Sequence, residues 1–285
     1  IKAITKICEN ASARKLTIVV AGGGSVGDFG GFVASILKRG VRLVHIPSTW
    51  LAAIDSAHGG KTALNVGGAK NQIGTFYPAS QIVLVRSVLM AQPEARTFEA
   101  FGELVKIALI EGGTLWSSLA KERNVSAALL WKHLEAAVKA KYKVVAKDPE
   151  EKSGLRHVLN LGHTMGHVFE SYYELPHGIA INYGLDFALR WSVQKKIMKP
   201  QDAEKLWQCP IMGYVLSPLR DDLISVRSSD LKEYRRLLLS DKKKTKSESL
   251  RFVFVKKAGQ CVIQEVNVDE VLIELCRQRE EELYG

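Results

Sequence analysis

The sequence runs to 285 residues, 46% hydrophobic and 25% charged, enough apolar material for one or two folded domains and too much for a disordered chain. Its net charge of +10 would suit nucleic acid, a membrane surface or a small polyanion, but the densest basic run, residues 242–246, is short and has no zinc-finger or aromatic-interleaved pattern beside it, so no nucleic-acid partner is expected. No apolar run approaches the roughly 20 residues of a membrane span, and Cys8, Cys209, Cys261 and Cys276 form no CxxC pair, which points to a reducing, cytoplasmic setting.

Residues 16–20 (LTIVV) form a short β-branched run that ends in Ala21-Gly22-Gly23-Gly24-Ser25, the pattern of a buried strand feeding a glycine loop. Residues 28–38 carry apolar side chains at helical spacing and stop at Arg39-Gly40, a suitable C-terminal cap. A second strand is expected at 41–46, closed by Pro47, and a third at 81–85. Strand, helix and strand in this order predict a parallel sheet. Only a helix-like segment at 2–11 precedes the glycine loop, so this nucleotide-binding part is expected to be incomplete at its N-terminus.

From about residue 93 the pattern turns helical, with apolar spacing over 97–110, 127–145, 158–172, 180–195 and 231–239. A short β pair, 251–255 with 261–264, and an amphipathic helix at 269–283 follow. The expected fold is an α/β nucleotide-binding domain over residues 1–92 and a mostly α-helical, metal- and substrate-binding domain over 93–285, with a ligand in the cleft between them.

Three constellations carry chemistry. Ala21 to Asp28 reads AGGGSVGD, where consecutive glycines let the backbone approach a diphosphate and the following helix offers N–H donors. The run NLGHTMGH sets His163 and His167 four residues apart on one helix face, and Pro176-His177-Gly178 adds an imidazole at a helix start. Upstream, Gly102-Glu103-Leu104-Val105-Lys106 places a carboxylate in a very apolar helix. Any one of these residues alone reads as an ordinary surface or capping residue. Together, Glu103, His163 and His177 make a catalytic zinc set with an open fourth position, since an ionised Glu103 amid Phe101, Leu104 and Ile107 needs a partner. The third constellation, DSAHGGKT at 55–62 followed by Lys70-Asn71, is a glycine-rich turn whose Lys61, Lys70 and Asn71 suit an anion. Asp55 stands where a Walker A motif needs its first glycine, which rejects an ATPase.

In order along the chain, GGGSVGDFGGFVAS, RGVRLVHIPSTWLAAIDSAHGGKTALN, KNQIGTFYP, GELVK, SGLRHVLNLGHTMGHVFE and PHG resemble the dehydroquinate synthase family of sugar-phosphate cyclases. The resemblance covers about Val19 to Glu170, with a weaker tail at Asp241-Lys242-Lys243. It implies a cytoplasmic, homodimeric, phosphate-eliminating lyase of the shikimate pathway that depends on NAD and on Zn2+ or Co2+. The implied reaction takes 3-deoxy-arabino-heptulosonate 7-phosphate to 3-dehydroquinate by transient oxidation, phosphate elimination, reduction and aldol closure. Glu103, His163 and His177 are the implied metal ligands, and Gly23, Gly24, Asp28, Thr49, Asp55, Lys61 and Lys70 the implied cofactor contacts. The resemblance further implies catalytic roles for His167, Lys106, Lys61, Asp55 and Asn160. Arg39, Asn71, Lys141, Arg156 and Lys242 would hold the substrate, Arg39 from the neighbouring subunit. The sequence departs from the family pattern at Ile179, where an acidic residue is usual, at His58, usually small and apolar, and at Ser48 and Trp50. An inosose- or valiolone-type cyclase and a relative that only binds ligand are the rival readings.

Overall fold

The computed structural model describes residues 2–67, 69–216, 230–240 and 248–284. The chain begins with α1 (Lys2–Ile7), β1 (Thr17–Gly22), α2 (Gly24–Ile36), β2 (Arg42–Pro47) and α3 (Trp50–Ile54). A hairpin of β3 (Lys61–Val66) and β4 (Ala69–Phe76) follows, then β5 (Gln81–Ile82) and α4 (Arg86–Met90). Next come α5 (Glu94–Glu111), α6 (Gly113–Leu119), α7 (Ala127–Val145), α8 (His163–Tyr173) and α9 (His177–Gln194). The chain closes with α10 (Pro200–Trp207), α11 (Pro210–Leu216), α12 (Leu231–Ser240), β6 (Ser249–Lys257), β7 (Gln260–Asn267) and α13 (Val268–Tyr284). Among the described residues no helix is long and apolar enough to cross a membrane.

Two compact units result, one of residues 1–100 and 126–154, the other of 101–125 and 155–285. By compactness α7 groups with the α/β part and not with the other helices. Physical ties explain this: Lys141 of α7 is ion-paired with Asp55, and the Arg86 guanidinium lies 5.8 Å from the Trp131 ring centre.

In the first unit β1, β2 and β5 form the expected parallel sheet, in that spatial order, with Thr17 opposite Arg42 and Gly22 opposite Pro47. Val20, Ala34, Leu37, Val41 and Leu43 make its core. Helix α2 lies close on this core because it carries glycines. A Cβ at Gly30 would stand 2.3 Å from Val20 Cγ2, and one at Gly31 2.4 Å from Thr62 Cγ2. The helix starts at Gly24 and not at 28, so residues 24–27 form its first turn directly after the Gly23 cap. The third strand is shorter than expected, and the antiparallel β3–β4 hairpin stands where only a turn was read.

The second unit is built round α9, most of whose residues are buried. Trp191 of α9 packs against Phe252 and Phe254 of β6, with ring centres 4.7 and 5.0 Å apart. Strands β6 and β7 pair antiparallel over a longer span than predicted, Val255 opposite Cys261. The single helix expected over 158–172 is two pieces, a 3-10 turn at Leu155–Asn160 and then α8. Gly162, left-handed at φ 78°, separates them. That conformation suits glycine and sets His163 as the first residue of α8.

Candidate functional site

In the second unit Glu103 is carried by α5, His163 begins α8 and His177 begins α9 after Pro176. Pairs of glycine contacts fix α8 against α9. A Cβ on Gly184 would lie 1.8 Å from the Gly162 carbonyl oxygen, and one on Gly166 2.8 Å from Ile181 Cδ1. The close approach brings the His163 and His177 rings to 5.6 Å, with His167 5.2 Å from the first and 6.0 Å from the second.

Glu103 is 2% exposed, and its Oε1 lies 3.5 Å from His163 Nε2 and 3.8 Å from His177 Nε2. These separations are long for hydrogen bonds, but ligands of one tetrahedral zinc ion, bound at about 2.1 Å, stand roughly 3.4 Å apart. The other nitrogens of both rings are engaged. His163 Nδ1 is 3.2 Å from the Leu161 carbonyl and His177 Nδ1 is 3.1 Å from Glu170 Oε2. Each ring thereby turns its Nε2 toward Glu103, the arrangement in which outer partners orient metal-binding imidazoles. The donor set fits a divalent metal.

Electrostatics follow from the same contacts. Burial, reinforced by the Lys106 charge, pulls His163 down to about 3, so its ring is neutral. Burial acts the same way on His177, but the carboxylates of Glu103 and Glu170 outweigh it and raise this ring to about 9. Lys106, 1% exposed, holds its ammonium 2.5 Å from Glu103 Oε2. Glu170 supplies His177 with a carboxylate from α8.

In the first unit a pocket is lined by Gly23, Gly24, Asp28, His45, Lys61 and Tyr77, among others. Gly23 caps α2 without a side-chain hydrogen bond, so the first N–H groups of a 13-residue helix stay available to an anion. A Cβ on Gly23 would meet Thr49 Cγ2 at 3.1 Å, and one on Gly24 Ser56 Oγ at 3.3 Å. Thr49 caps α3 by accepting from the Ala52 N–H at 3.2 Å. Lys141 Nζ donates to Asp55 Oδ1 at 2.6 Å and to the Asp55 carbonyl, and Lys61 pairs with Glu151. His58 is buried and lowered by that burial to about 4; its Nε2 donates to the Ala53 carbonyl at 2.8 Å.

Burial raises the Asp28 carboxyl from 3.8 to about 6. Folded chains then hold a proton that unfolded ones lose, so stability falls as pH rises between these values, and the full penalty stands above pH 6. Asp28→Asn is expected to gain on the parent by about 1 kcal/mol from pH 4 to pH 8 in urea unfolding, the half-buried site screening the rest. A gap of constant size would refute this.

The remaining expected residues are distributed as follows. Arg156 is buried in the turn before α8, where Asn160 Nδ2 lies 3.1 Å from His157 Nδ1. Arg39 is exposed. Lys70 and Asn71 fall in β4, with side chains outside the description, and Lys242 lies outside the described residues. Glu170, Glu151 and His45 were not anticipated. Glu170 follows His163 by seven residues and His167 by three, a helix-face spacing that could have marked it; nothing in the sequence singles out Glu151 within its acidic run.

Residues 1–99 match the 3-dehydroquinate synthase N-terminal family and residues 100–244 its C-terminal family. The 3-dehydroquinate synthase of Leptospira interrogans is 35% identical over 282 residues, 96% of this chain and 75% of that relative. That of Legionella pneumophila is 33% identical over 273 residues, covering 93% and 72%. The bifunctional shikimate kinase/3-dehydroquinate synthase of Thermotoga maritima is 35% identical over 262 residues, 91% of this chain; the chain spans about half of it, 51%. Among solved structures, 2-deoxy-scyllo-inosose synthase with carbaglucose-6-phosphate, NAD+ and Co2+ has a TM-score of 0.79 at 24% identity, over 96% of this chain and 77% of that one. The 2-epi-5-epi-valiolone synthase of Streptomyces hygroscopicus, with NAD+ and Zn2+, also scores 0.79, at 21% identity, over 98% and 77%. These two likenesses concern the fold. Two adjoining family matches and relatives about a third identical over nearly the whole length lead to one conclusion: the chain belongs to the 3-dehydroquinate synthase family.

Proposed function

We propose that the chain converts 3-deoxy-arabino-heptulosonate 7-phosphate to 3-dehydroquinate and phosphate, with a divalent metal in the second unit and NAD in the first. The observation that carries this reading is the meeting of one buried carboxylate oxygen and two oriented imidazole nitrogens at Glu103, His163 and His177. The uncapped start of α2 and its bare glycines fit a dinucleotide diphosphate. When bound, NAD supplies a reversible hydride acceptor and zinc or cobalt a Lewis acid that polarises a hydroxyl.

The chain's own residues supply the rest. Gly23 and Gly24 admit the diphosphate, while Asp28, Thr49, Lys61 and Lys70 hold other cofactor groups. Asp55 serves both cofactor binding and catalysis, and Lys141 positions it through their ion pair. Lys61, paired with Glu151, changes partner when ligand arrives. In the second unit Lys106 keeps a fixed positive charge beside Glu103, and Arg156 and Asn160 bind the anionic substrate. His167, one helical turn from His163, moves a proton. An imidazole coordinates a metal only when neutral, so His177, which Glu103 and Glu170 keep protonated, would have to give up its proton to hold one. Asn71 and Lys242 complete the substrate contacts.

The chain works as a cytoplasmic homodimer in which Arg39 reaches the partner's substrate phosphate. Backbone strain supports a role for this residue. Lys38 and Arg39 are both left-handed, at φ 48° and 67°, just before Gly40 at φ 117°. Non-glycine residues held so cost on the order of 1 kcal/mol each and gather at functional turns. Arg39→Gly is therefore expected to raise unfolding stability by about 1 kcal/mol while raising KM for the phosphorylated substrate at least about tenfold. Parallel loss of both, or of neither, would refute the role.

The test is phosphate release and mass detection of dehydroquinate after the metal-loaded protein meets NAD and heptulosonate phosphate. Glucose 6-phosphate and sedoheptulose 7-phosphate serve as rival substrates. No phosphate from the heptulosonate, with turnover of either rival, would overturn the assignment.

A further inference from the structure

His45 is 8% exposed and stands in β2 between Val44 and Ile46. Strand alternation puts it on the same face as buried Leu43 and Pro47, where an aliphatic side chain would pack as well. That face lies under α2. A Cβ at Gly27 would meet His45 Cε1 at 3.6 Å, and one at Gly31 would meet Leu43 Cδ2 at the same distance, so two glycines one turn apart let the helix ride over both side chains. His45 also lines the glycine-loop pocket beside Gly23, Gly24 and Asp28. Its ring nitrogens have no hydrogen-bond partner among the described residues, and they are not sealed from the pocket. A ring nitrogen that faces a pocket without a protein partner is left to water or to a ligand. The position along the sheet matters too. His45 sits near the carboxyl end of β2, parallel to β1, whose own carboxyl end opens into the glycine loop. Parallel sheets bind their ligands at that end.

We propose that His45 is a cofactor-binding residue, an imidazole on the wall of the glycine-loop pocket that hydrogen-bonds the polar part of the bound dinucleotide. The inference rests on the assignment of that pocket to NAD. Burial lowers the ring's proton affinity, so it meets the cofactor neutral, able to donate from one nitrogen and accept at the other. This neutrality separates its role from that of Lys61 in the same pocket, which offers charge.

Direct NAD titration by calorimetry, on metal-loaded full chain, tests the assignment. His45→Leu removes the polar atoms at similar volume and is expected to weaken NAD binding about tenfold, the loss of one good hydrogen bond. Metal content should be unchanged, and His45→Gln should recover affinity to within about threefold of the parent. Unchanged NAD affinity in His45→Leu, with raised thermal stability, would reduce the residue to packing and overturn the proposal. If the parent itself binds no NAD, the assignment of the pocket fails and this inference with it; if the parent binds and His45→Leu equals it, this inference alone fails. Should His45→Leu not fold, imidazole 15N spectra of the parent decide: ring shifts that move on NAD addition support the contact, and shifts that stay fixed overturn it.

Discussion

Glu103→Ala is expected to leave the protein without stoichiometric metal and to lower turnover on the order of 1,000-fold, since two imidazoles alone do not hold a catalytic ion. The substitution has a second consequence. Glu103 and Lys106 are 2% and 1% exposed, and their charged groups meet at 2.5 Å. Deleting one member of such a pair leaves the other charge in a medium that cannot solvate it, at a cost of about 3–5 kcal/mol. The thermal midpoint should therefore fall on the order of 10 °C. Glu103→Ala combined with Lys106→Met removes the stranded ammonium and should recover most of that stability without restoring metal. The pair of measurements, metal analysis and calorimetric midpoint, separates ligand loss from unfolding. Full metal occupancy in Glu103→Ala would exclude the three-ligand centre.

How much of this was legible depends on which physical signal each segment carries. Helix α7 was read with both ends correct, 127–145, because its apolar spacing is unbroken and Ser126 caps it by accepting from the Leu129 N–H. The same spacing runs through 158–172 and hides the break at Gly162, since a left-handed glycine interrupts the backbone without interrupting the hydrophobic pattern. Glycine also obscured the start of α2. The run of three is divided between the end of β1, the N-cap and the first residue of α2, and the neighbours that crowd Gly23 and Gly24, Thr49 and Ser56, lie far off in sequence. The β3–β4 hairpin was missed for a related reason, its strand residues having been read as a polar turn around Lys61. Glu103, His163 and His177 were legible as a set because an ionised carboxylate in an apolar helix asks for a partner. Glu170 was not, because its role exists only once α8 and α9 stand side by side.

Gly184→Ala tests that last dependence. The added methyl would lie 1.8 Å from the Gly162 carbonyl oxygen and 2.7 Å from the Gly166 nitrogen, and both are backbone atoms that no rotamer change can move aside. Helix α9 would have to withdraw from α8 by an ångström or more, opening a void in a unit whose core runs through Ile181, Leu185 and Leu189. The expected cost is at least about 4 kcal/mol, at the extreme for a single substitution. The same displacement would part His163 from His177, so whatever folded protein remains should bind metal at least about tenfold more weakly. Gly213→Ala is the matched control. That glycine lies inside α11, is exposed, and a Cβ there meets nothing within 4 Å. Helix propensity alone then acts, and the variant should be more stable by about 0.5–1 kcal/mol. Urea unfolding of the two variants should move in opposite directions. Equal behaviour would mean that the close crossing of α8 and α9, on which the metal geometry depends, is not what holds the two imidazoles together.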